Sequence, residues 1–196
     1  MKKSAAKILF YGGLWGGVEA SIGYLMHLFL MPFAGFLMFP IGFYFMRRAA
    51  LETEDRRAPF YIALVAAAVK CVDLFLPNLL VIKVVNPAIG ILLQGMAVTL
   101  FLALEDKRVL SKALTASFMW RFIFIGIVYL ESLSGTPMRL LSSGSMEIVR
   151  YLTLDVMVNS LLIYGLVAGV KLKKIEVKPS LAFVTVLVAL TINIVT

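Results

Sequence analysis

Seven hydrophobic stretches fill most of this 196-residue chain, and charged and polar residues lie inside them. They run roughly over Ile8–Leu30, Phe33–Met46, Phe60–Leu76, Val84–Leu104, Leu114–Leu130, Tyr151–Val170 and Leu181–Val195. A helix needs about 20 mostly apolar residues to cross a hydrocarbon core about 30 Å thick, and most of these stretches reach or approach that length. A water-soluble domain of this size would not be 61% hydrophobic and only 15% charged. The sequence therefore predicts an all-α fold, a polytopic transmembrane helix bundle of six to seven spans. The longest polar segments, Arg47–Pro59, Ser132–Arg150 and Lys171–Ser180, are too short to bury cores of their own. Residues 1–196 are thus expected to form a single integral membrane domain.

The net charge of +8 invites a nucleic-acid reading, but its placement favours topology. Fourteen of the 19 basic residues fall before the first stretch or between stretches two and three, four and five, or six and seven. If the spans alternate in direction, all fourteen lie on one side. Basic loops stay in the cytoplasm, so the expected protein is a multi-pass component of the cell membrane with a cytoplasmic N-terminus. The remaining basicity suits contact with anionic lipid, and no nucleic-acid partner is expected. Glu19 interrupts the first apolar run and no small-residue cleavage site follows, so that run reads as a retained span and not a signal peptide. A single Cys71 and a single His27 leave no disulfide, multi-cysteine metal site or two-histidine haem site, and no phosphate loop is present. No metal or cofactor is expected. If uptake is ATP-driven, other subunits supply the ATPase.

Proline punctuates the bundle. Pro40 is expected to kink or shorten the second stretch, and Leu79–Val85, bounded by Pro77 and Pro87, is expected to form a re-entrant or interfacial loop. The segment Ser134–Arg150 reads as an external loop that either caps the bundle or lies at the interface.

A charge at the bilayer centre costs at least about 2.5–3.5 kcal/mol, so each one needs a partner or a cavity. Glu19 and Arg121 are the deepest charges by position and have opposite signs, which makes them a candidate pair. Toward the other side of the membrane lie His27, Lys70 and Asp73 at i and i+3, Asn86, Gln94, and Asp155 and Asn159 at i and i+4. Each alone reads as a snorkelling or paired residue. Together they outline a polar, outward-facing site for a small-molecule ligand, with Tyr24, Phe75, Trp120 and Tyr151 as possible aromatic walls. No paired-carboxylate motif points to catalysis, and an enzyme is not expected.

The first stretch carries two rows of small residues four apart, Gly12, Gly16, Ala20 and Gly13, Gly17, Ser21. Such rows let another helix backbone approach closely, either within the chain or from a partner subunit. With the size, the N-terminal topology and the external polar cluster, these rows resemble the substrate-binding (S) component of energy-coupling factor vitamin transporters. The resemblance implies capture of a vitamin-like nutrient and docking of the rows to a transmembrane coupling subunit that works with ATPases. The chain departs from that pattern in having seven stretches where six helices are usual, and in using more Gly than Ala. The alternative is a small structural or anchoring subunit of a larger membrane complex. An intramembrane lipid-modifying enzyme is a third reading, using Glu19, His27, Asp155 or Asn159 as acid–base groups.

Overall fold

The computed structural model describes residues 3–23, 25, 34–77, 80–105, 108–133, 144–170 and 175–195. Every regular element among the described residues is helical. Helix α1 (Lys3–Val18) runs on into a π-helical turn, Glu19–Gly23. Helix α2 spans Ala34–Thr53, and α3 spans Ala58–Cys71 and closes with a 3₁₀ turn, Val72–Phe75. There follow α4 (Val81–Ala103), α5 (Val109–Ser132), α6 (Ser145–Leu152), α7 (Leu154–Gly169) and α8 (Pro179–Val195). Four helical segments are long and apolar enough to cross a membrane: Ala58–Phe75, Val81–Ala103, Val109–Ser132 and Ser145–Gly169. Helix α8 is apolar but shorter, at 17 residues.

One expectation about proline is corrected. Residues Val81–Val85 are not loop but the opening of α4, and Pro87 lies inside that helix. Helix α2 likewise runs through Pro40 for 20 residues. In both, proline is the seventh residue, in the second turn, so each helix continues past one missing backbone hydrogen bond. The loop expected up to Arg150 is also partly helical, since Ser145–Arg150 belongs to α6. Its residues 134–143, like Leu79, lie outside the described residues. Helix α3 starts where Pro59 stands in its first turn and the Asp55 carboxylate accepts the Arg57 N–H at 2.8 Å.

Side-chain contacts fix the helix directions. Tyr11 on α1 meets Glu52 at the end of α2, and Trp15 lies against Gly42, so α1 and α2 are antiparallel. Gly12 and Gly16 lie on Val65 and Val69 of α3, and Gly13 and Gly17 on Thr185 and Ala189 of α8, so α1, α3 and α8 run parallel. Gly95 on Ala63 with Arg56 on Glu105, and Asn86 on Glu131 with Gly90 by Phe124, make α3, α4 and α5 successively antiparallel, and Arg121 on Asn159 joins α5 to α7. The directions alternate, and Lys7, Arg48, Arg56, Glu105 and Lys112 gather at one end through an Arg56–Glu105 ion pair and a Lys112–Phe101 contact. The core holds Trp15, Phe39, Phe43, Met46, Ile62, Ile91 and Ile163, all at 1% exposure or less. The outer faces carry large apolar side chains such as Phe122, Leu130, Leu161 and Leu187, each at least 60% exposed. An apolar exterior around a helical bundle is compatible with a membrane protein.

Candidate functional site

Helices α5 and α7 bring together the most deeply buried charge. Arg121 stands near the middle of α5 and is fully buried. Its guanidinium donates to the Ser117 carbonyl, one turn back at 3.1 Å, and to Oδ1 of Asn159 on α7. Its face lies 4.5 Å from the Trp120 ring centroid and 5.2 Å from that of Tyr151. Away from water, a cation over an aromatic face gains about 2 kcal/mol. Asp155, one turn from Asn159 and 2% exposed, is the acid whose field reaches Arg121. Phe39 of α2 packs on Trp120 at 5.6 Å and closes the cluster on a third side.

Several buried polar atoms here lack a hydrogen-bond partner among the described residues. They are Ser117 Oγ, Trp120 Nε1, Asp155 Oδ1 and, on neighbouring α4, Gln94 Oε1. An unpaired polar atom in an apolar interior costs about 1–3 kcal/mol, and these four lie on helices α4, α5 and α7, close in sequence or space to Arg121.

A second group joins α1, α3 and α8. Lys70 pairs with Asp73 at 2.6 Å, as the i, i+3 spacing predicts. Asp73 also accepts from Asn193 on α8, which donates to the Val69 carbonyl at 3.0 Å. The cation whose field reaches Glu19 is Lys70. The expected Glu19–Arg121 pair is therefore corrected. Helix α1 packs on α2, α3 and α8, while α5 packs on α4, α6 and α7, so the two charges lie in different parts of the bundle. Asn86 forms a third contact, donating to Glu131 at 2.9 Å between α4 and α5. The anticipated polar residues are thus divided among separate helix pairs and do not line one cavity. His27 and Tyr24 lie outside the described residues. Phe75 is 86% exposed and walls nothing.

Sequence reasoning missed two features. Asn193 was readable as the lone amide in the last apolar stretch. The cluster at the basic end was read only as topology, yet Glu52 there accepts from Tyr11 at 2.7 Å and Arg48 at 3.1 Å, with Lys7 at 3.3 Å.

The small-residue rows are occupied from within. A Cβ on Gly12 or Gly16 would meet Val65 or Val69 of α3, and one on Gly13 would stand 2.9 Å from the backbone of Thr185 and Val186 on α8. Gly17 lies on Ala189, Ala20 is buried, and the Ser21 hydroxyl donates to the Gly17 carbonyl at 2.7 Å. The docking role expected of these rows is corrected for their glycines: Gly12 and Gly16 seat α3, and Gly13 and Gly17 seat α8, within the chain. Two surface clefts, of about 350 and 260 Å³, are lined by Phe60, Met96, Thr99, Leu100 and Ala103 and by Ala50, Leu51, Glu54, Arg56 and Leu102. Neither includes an anticipated ligand residue. No protein-family model, curated protein or solved structure matches the chain.

Proposed function

We propose that this protein is a membrane-embedded binding component that captures a small, vitamin-like nutrient bearing an anionic group and hands it on for uptake. In this reading the bundle crosses the cell membrane six to seven times with its basic end in the cytoplasm, and ATPase-linked partner subunits drive the transfer. The observation that carries it is the buried Arg121, placed mid-helix against two aromatic faces with unpartnered polar atoms on the helices around it. A guanidinium matches a carboxylate in shape and charge. Trp120 and Tyr151 supply apolar area, and Asn159 and Ser117 orient the cation. A coupling subunit would have to dock on a face other than the glycine rows.

A second reading, a structural subunit of a larger complex, draws support from the internal use of both glycine rows and from the Lys70–Asp73, Asn86–Glu131 and Arg121–Asn159 contacts. Thermal unfolding of the purified protein against a panel of small carboxylates and their neutral amide analogues separates the two. The binding reading expects at least one carboxylate to raise the midpoint by several degrees, its amide not to, and Asn159→Ala to weaken the effect about tenfold or more in concentration. A flat response across the panel favours the structural subunit.

A further inference from the structure

The group on α1, α3 and α8 has a charge balance unlike that around Arg121. Glu19 opens the π-helical turn Glu19–Gly23, deep in the first apolar stretch. Single π turns re-aim a side chain and recur at functional sites. Its Oε2 is enclosed and has no hydrogen-bond donor among the described residues. The Glu19 carboxyl lies beside Gly23, where a Cβ would stand at an ordinary 3.7 Å from its carboxyl carbon. Among the described residues, the cation that acts on Glu19 is Lys70, and it is already engaged by Asp73 at 2.6 Å. Helix α8 contributes the neutral Asn193 and no titratable residue anywhere in Pro179–Val195. Helix α2 reaches the turn with Met38, while its charged residues Arg47, Arg48 and Glu52 lie in its last two turns, where Arg48 and Glu52 meet Lys7 and Tyr11 at the opposite end of α1.

Two carboxylates therefore share one ammonium in an apolar bundle. An uncompensated buried charge is strongly unfavourable. We propose that this group is a second site, separate from Arg121, at which Glu19 takes up one further positive charge, a proton or a monovalent alkali cation. The Asn193 amide, which also donates to the Val69 carbonyl, fixes Asp73, and Asp73 in turn holds Lys70, so the missing charge is directed to Glu19. The uptake joins no covalent bond other than the O–H bond in the proton case, and it releases nothing.

The test uses the full chain purified in detergent. Infrared difference spectra between neutral and alkaline pH report a protonated carboxyl. Thermal unfolding in sodium or potassium chloride, against choline chloride, reports a bound alkali cation. One of the two signals is expected in the parent protein, and which one appears identifies the charge. Glu19→Gln removes that signal. Asp73→Asn also removes it although Glu19 is intact, because Lys70 is then free to balance Glu19. Asp155→Asn leaves it unchanged. If Glu19→Gln does not fold, the Asp73→Asn result decides alone. The proposal is overturned if neither signal appears, or if the signal survives in Asp73→Asn.

Discussion

Glu52 shows at residue scale how a charge at the basic end is put to structural use. Burial alone would raise its carboxyl, but contacts from Tyr11, Arg48 and Lys7 outweigh burial and hold it below the usual value of 4.5. A carboxylate lowered in the folded state stabilises fully above its unfolded value, and that stabilisation is lost as pH falls through the folded one. Thermal stability in detergent should therefore fall on acidification below about pH 4.5. Glu52→Gln should flatten that dependence while lowering stability at neutral pH by about 3 kcal/mol, because Arg48 and Lys7 lose their partner. An unchanged acid profile would mean that Glu52 does not hold α1 to α2. Local spacing made part of this scale legible. Lys70 with Asp73, and Asp155 with Asn159, share faces because i+3 and i+4 do so on any helix. Arg121 with Asn159 was not legible, because the pair is 38 residues apart and depth along a span does not say which spans are neighbours.

At the scale of elements, glycine decides which helices touch. Along α1 one row faces α3 and the other α8, so the two rows that looked like surplus docking area are a single helix wedged between two neighbours. Gly13→Ala would press a methyl onto the α8 backbone at 2.9 Å, whereas at Gly17 the nearest atom, Ala189 Cβ, stands at an ordinary 3.5 Å. Overpacking of this kind costs about 1–3 kcal/mol. Gly13→Ala should lower the unfolding midpoint of the isolated protein clearly, and Gly17→Ala hardly at all. Equal tolerance at both positions would mean that α8 is not seated on α1. Pro87 marks no loop because composition does not say how far upstream a helix begins, and α4 starts six residues earlier.

The whole molecule pairs an alternating set of helices with charge gathered at one end. The hydrophobic stretches made this helical class legible, since their lengths match a bilayer and few polar segments separate them. In a background with Cys71 replaced by Ser, Arg56→Cys and Met146→Cys place single thiols at exposed positions near opposite ends. An impermeant thiol reagent applied to intact cells should label the second and spare the first, and labelling at position 56 would reverse the orientation.

The central claim is that Arg121 anchors a small anionic ligand. Native mass spectrometry of the protein released from mild detergent tests it most directly, run side by side on the parent chain and Arg121→Gln with folding checked by thermal melts. The parent should retain a small molecule of anionic character, and folded Arg121→Gln should lose it. A folded parent that carries no small molecule, or a ligand retained equally by Arg121→Gln, would contradict it.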